Sequence, residues 1–221
     1  MRKKLNVMKK TILFISAVLL TLVIGCQETN KENDTTAADT AAVAPAVAEE
    51  MPQMDSAAMM KAWEEFMTPG DMHKWMAGME GNWKGEVTMW DDPSKPPTTS
   101  TMTSSNKMIL NGLYLESVNK GNFNGMPFEG ISTSGYDNAK KKFIATWIDN
   151  MGSGMMQTEG TYDEATKTLT MTGSTTDPMT GNDVPVREVT RYTDENNHVW
   201  EMYMTRGGQE MKTMEIKYTK M

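Results

Sequence analysis

From residue 82 onward this chain alternates. Trp83, Gly85, Val87 and Met89 are separated by Lys84, Glu86 and Thr88. Trp200, Met202 and Met204 alternate with Glu201, Tyr203 and Thr205, and Met214, Ile216 and Tyr218 with Glu215, Lys217 and Thr219. Successive side chains of a strand point to opposite faces, so a period of two marks strands with one buried face. Turn signals cut the alternation at fairly even spacing: Asp91-Asp92-Pro93, Asn111-Gly112, Asn124-Gly125, Asp137-Asn138, Gly152-Ser153-Gly154, Asp163-Glu164, Asp177-Pro178, Asp194 to Asn197, and Gly207-Gly208. Nine turns join about ten strands. No helical period interrupts them, which leaves no room for parallel crossovers. An antiparallel meander of that many strands closes, because closure removes its exposed edges. The predicted fold is all-β: a closed or nearly closed antiparallel meander β-barrel of about ten strands over residues 80–221, wider than its own side chains must fill.

Residues 54–79 predict a lead-in of one or two short helices. Met59, Met60, Trp63, Phe66 and Met67 recur at helical spacing after the capping residues Asp55 and Ser56, and Pro69-Gly70 ends the pattern. A second short helix starts at Asp71 and carries Met72, Trp75, Met76 and Met79 on one side. Residues 26–53 are rich in Ala, Thr and Asp and lack aromatics, so they read as a disordered tether. A chain of that length spans about 25–30 Å.

Residues 1–25 read as a leader: five basic residues, then an apolar run shorter than the roughly 20 residues a membrane span needs. Val23-Ile24-Gly25-Cys26 resembles the bacterial lipobox, in which the thiol is acylated and the chain is cut before the cysteine. Cys26 is the one cysteine, so lipidation there excludes a disulfide framework, a thiol enzyme and a cysteine zinc site. Loss of the leader takes the formal net charge from −7 to −12, which disfavours nucleic acid as a partner. The expected partner is a membrane, reached through N-terminal acyl chains. The expected location is the cell envelope, with the outer membrane favoured because Gln27 rather than an aspartate follows Cys26.

Met79 to Glu86 has the G-x-W-x-G form that opens calycin-type barrels. With "GYDNAKKKFIATWIDNMGSGM", "GTYDEATKTLTMTG", "DPMTGNDVPVREV" and "RGGQEMKTMEIKYTK", the chain resembles the bacterial domain-of-unknown-function family 1579 from about Asp71 to its end. The resemblance implies a calycin-like barrel, lipocalin-like or nitrobindin-like, with no agreed catalytic residues. Nitrobindin-type barrels bind haem through a late histidine. The late histidine here, His198, follows the turn Asp194 to Asn197, so it is expected at a hairpin tip and no cofactor is expected.

With two histidines and no G-x-S-x-G elbow, a hydrolase triad has few options, and the chain is not expected to be an enzyme. By alternation Phe143, Ala145, Trp147 and Asp149 share a face. If that face is interior, Asp149 needs a partner, which Arg187 or Arg191 would supply. Expected ligand contacts are Trp83, Tyr136, Trp147, Asp149, Arg187, Arg191, Trp200 and Tyr203. Methionine is abundant, at 24 residues. It is expected to fill the core, the alternative being a soft-metal site for Cu(I) built from Met72, His73, Met76 and Met79. The leading function is a barrel that binds a small apolar ligand or lipid at the envelope. The alternative is a filled structural barrel with no ligand. Replacing Cys26 by Ser should release the protein from the membrane fraction or leave an unprocessed precursor. Unchanged processing and membrane recovery would refute the lipobox.

Overall fold

The computed structural model describes residues 55–221 other than Asp91, Pro93 and Asn124. The expected leader, Cys26 and the whole of the tether lie outside the described residues. Helices α1 (Ser56–Met67) and α2 (Asp71–Ala77) precede strands β1 (Gly81–Met89), β2 (Thr98–Ile109), β3 (Tyr114–Phe123), β4 (Met126–Asp137) and β5 (Lys142–Asp149). Strands β6 (Met156–Asp163), β7 (Thr168–Thr176), β8 (Asp183–Asp194), β9 (Asn197–Arg206) and β10 (Gln209–Lys220) complete the chain. Each strand pairs antiparallel with its sequence neighbours, and β1 pairs with β10 to close a barrel. The predicted meander is therefore found, with a strand boundary at every one of the nine turn signals.

The barrel has one plugged end. Alternation aims Trp83, Val87, Met102, Phe143, Met171 and Ile216 inward, and all are buried. Helix α2 lies across the end where β1 starts and β10 finishes. Met76, 2% exposed, packs with Phe143 and Met171, and Trp75 meets the rings of Phe143, Tyr162 and Tyr192 at 4.5–5.4 Å between centroids. The Met79 carbonyl accepts from Trp83 Nε1 (2.9 Å) and Asn106 Nδ2 (3.1 Å), which ties the helix exit to β1 and β2.

Helix α1 is built differently. The Asp55 carboxylate caps it by accepting from the Ala58 amide at 2.7 Å. Asn138 Nδ2, in the β4–β5 turn, donates to the Glu65 and Thr68 carbonyls at its far end. No α1 residue is buried, and Met60, Trp63 and Met67 are each more than half exposed. The expected apolar stripe is present but exposed.

Plug and stripe should respond differently to truncation. Met76→Ala is expected to cost about 2–4 kcal/mol in urea unfolding through the cavity it leaves. Met60→Ala is expected to cost less than about 0.5 kcal/mol. Equal effects would mean that α2 does not seal the barrel.

Candidate functional site

The interior has two unlike walls. On β2–β4 a run of inward positions is small and polar: Ser104, Asn106, Ser117, Asn119, Ser132 and Ser134, with Ser104 opposite Asn119 and Ser117 opposite both Asn106 and Ser132, between the apolar Met102 and Leu115. They bond among themselves. Ser104 Oγ donates to Asn106 Oδ1 (2.8 Å) and Asn119 Nδ2 to the Ser117 carbonyl (3.2 Å), while the Ser132 and Ser134 hydroxyls lie 3.5 Å apart. Across the barrel, β8–β10 present Val186, Trp200, Met202, Met214, Ile216 and Tyr218. In that apolar wall stands one acid, Glu188. Its cross-strand neighbours are Met171 and Met202, and Thr158 Oγ1 donates to its Oε2 at 3.1 Å.

Ser117, Ser132, Ser134, Glu188, Trp200 and Met202 point inward, yet none is fully buried. Among the described residues no fully buried side-chain nitrogen or oxygen lacks a partner. Thr158 serves one Glu188 oxygen, so the other borders open interior space. Aromatic rings narrow the end opposite α2. Phe128 stacks on Trp147 at 6.2 Å and meets Phe123 at 4.8 Å. The Trp147 indole lies so close over Gly130 that a Cβ there would fall 2.4 Å from it, which explains the glycine. A second, open groove of about 790 Å³ runs outside β4–β7 past Tyr114, Ile144 and Met155. It holds none of the expected ligand contacts.

The model of DUF1579, a protein family of unknown function, matches residues 68–220. This chain belongs to DUF1579. The DUF1579 barrel is similar to the crystal structure of Rv2717c from M. tuberculosis, with a TM-score of 0.54 at 12% identity over 70% of this chain and 99% of that one. At that identity the likeness is one of fold. No curated protein matches the chain.

The structure corrects several expected placements in this DUF1579 chain. Asp149 does not meet an arginine: its Oδ2 accepts from Trp147 Nε1 at 2.7 Å and its Oδ1 from the Met151 amide at 2.8 Å. Arg187 and Arg191 do share a face, but it is the outer one. Arg187 forms a two-pronged pair with Glu210 and lies over the Tyr203 ring at 4.0 Å, and Arg191 pairs with Glu201. Tyr203 is also outside, because it alternates with the inward Trp200 and Met202; its hydroxyl donates to Glu201 Oε2 at 3.2 Å. Burial pushes the Glu201 pKa up, but hydrogen bonds from Arg191 and Lys212 outweigh that and hold it low.

Of the remaining expected contacts, Trp83 and Tyr136 sit at the plugged end, Trp147 at the other, and Trp200 on the interior wall. The four expected soft-metal ligands are engaged elsewhere. His73 Nδ1 accepts from the Gly70 amide at 3.0 Å, Met72 and Met76 pack at the Phe143 cluster, and Met79 Sδ accepts from the Tyr192 hydroxyl at 3.6 Å. His198 is the other correction. It begins β9 beside the turn, but its ring faces inward, 4.7 Å from Trp83 and from Tyr218 and 5.4 Å from Tyr192.

Two interior groups titrate in opposite senses. Burial pushes the Glu188 pKa up to about 7, the Thr158 hydrogen bond offsetting part of this. Burial pulls His198 down to about 4. The stability that goes with a protonated Glu188 is full below its ordinary 4.5 and is lost as pH rises through 7. The stability that goes with a neutral His198 is present above its ordinary 6.5 and is lost as pH falls through 4. Wild-type stability should thus vary little between these opposing slopes. Glu188→Gln should gain on wild type by on the order of 2 kcal/mol between about pH 4.5 and pH 8, read from urea unfolding at each pH. A constant difference would mean that Glu188 is not enclosed.

Proposed function

We propose that this chain is an envelope lipoprotein, anchored through Cys26, whose barrel binds a small ligand between the two interior walls. One observation carries the binding reading: inward side chains on facing strands keep accessible surface around Glu188. A barrel interior that serves only for packing fills itself with side chains in contact. Here serines and an asparagine face methionines and a tryptophan, a mostly apolar space with a few placed polar groups, which is how small-molecule pockets fix orientation. The polar wall refines the expected ligand from apolar to amphiphilic. The basic, apolar leader and the lipobox-like tetrapeptide support the anchor.

Three probes with one tail and different heads test the site: n-octylamine, 1-octanol and octanoate, titrated into the full-length chain and followed by tryptophan emission. At least one should bind saturably. That binding should be lost in Ser132→Phe, or in Ser117→Leu should the first variant fail to unfold cooperatively. No saturable binding of any probe, or binding unchanged in a folded variant, would overturn the reading.

A further inference from the structure

Among the described residues two inward acids have no ion-pair partner: Asp149, at the mouth, has the Trp147 indole and the Met151 amide, whereas Glu188 stands deep in the barrel. Several acids of the strands meet cations on the outer surface: Glu210 with Arg187, Glu201 with Arg191 and Lys212, Glu159 with Lys142, and Glu129 with Lys120. Among the described residues, Glu188 is given a threonine hydroxyl. A carboxylate offers about four acceptor positions, and an enclosed charge is costly unless it is paired. His198, the basic group on the interior side, is held neutral by burial and so offers no cation. Met171 and Met202 flank the acid, and thioether side chains adapt to irregular alkyl shapes. Burial pushes the Tyr218 phenol above its ordinary range, and the nearby Glu188 charge adds to it.

We propose that the interior site takes an amphiphile with a primary ammonium head, which pairs with Glu188 while its alkyl tail packs against the methionines and Trp200. This rests on the binding reading above and names the chemical class that the site selects. The open oxygen of Glu188 accepts from the ammonium, Thr158 keeps its hydrogen bond to the other, and the incoming cation supplies the charge that the fold withholds. An alcohol of the same tail offers one hydrogen bond and no charge, and a carboxylate head meets repulsion.

The three octyl probes separate the two claims at about pH 8, where Glu188 is mostly ionised and the amine is protonated. Octylamine should bind at least tenfold more tightly than 1-octanol and octanoate. Glu188→Gln, which keeps the shape and removes the charge, should weaken octylamine at least tenfold and 1-octanol by far less. Equal affinity for all three probes, or preference for octanoate, would overturn the ammonium assignment and leave the binding barrel standing. An octylamine affinity that Glu188→Gln does not change would also overturn it. Binding of none of the three would overturn the barrel reading itself. Urea unfolding of Glu188→Gln checks that the variant is folded, and an unfolded variant is replaced by Thr158→Val, which should weaken octylamine by leaving the carboxylate less well held.

Discussion

The pairing of β1 with β10, from Trp83 opposite Lys220 to Met89 opposite Met214, is the contact on which everything else in this molecule depends. It joins the first strand to the last and removes both sheet edges at once. It also divides every strand into an inside and an outside, because a closed barrel has no third option for a side chain. Val87, Ile216 and Met102 then form a core, while Glu86, Lys217 and Glu215 face water on the neighbouring positions. A shift of that seam by one residue would exchange the two sets along the whole strand.

Closure alone leaves a tube with two open ends, and the chain treats them differently. At one end α2 inserts a methionine and a tryptophan among Phe143, Tyr162 and Tyr192, and the Met79 carbonyl fastens the helix exit to two strands. At the other, Phe123, Phe128 and Trp147 narrow the mouth without a helix, and Gly130 gives the indole its place. Methionine serves this arrangement because an unbranched side chain fills the uneven gap between a crossing helix and curved strands. Met76 and Met171 are buried in that capacity.

The barrel, its ten strands and both helices were legible from period and punctuation, since alternation and turn chemistry are local. The site was legible only in part. Trp147 and Trp200, both expected ligand contacts, do face inward, but the alternation of β9 that carries Trp200 inward puts Tyr203 outside, and that of β8 puts Arg187 and Arg191 outside. Asp149 needs no arginine, because Trp147, two residues away on the same face, supplies its partner. Glu188 was missed because a lone glutamate between Arg187 and Val189 looks like any surface acid. A signal was nevertheless present: Glu188 shares parity with Val184, Val186 and Thr190, so an inward β8 must carry it inside. His198 was misplaced because nearness to a turn along the chain says nothing about which face of the strand a ring takes.

An enclosed acid without a cation and an enclosed histidine without a charge each make the fold less stable at one end of the pH scale. Their windows overlap with opposite sign, so a barrel holding both is buffered where a barrel holding either alone would be sensitive. Local rules broken without a structural return are found where a protein binds or reacts. On the outer face of the same strands, Glu201 is held by Arg191, Lys212 and Tyr203, so the barrel shows that it can satisfy an acid fully where stability is the aim. Glu188, on the neighbouring strand and opposite face, has one hydroxyl. Replacing it with a methionine would extend the row formed by Met171 and Met202 and remove the cost altogether. That the chain places a carboxylate there, beside space it could have filled, is the strongest reason to regard the interior as a site rather than as a core.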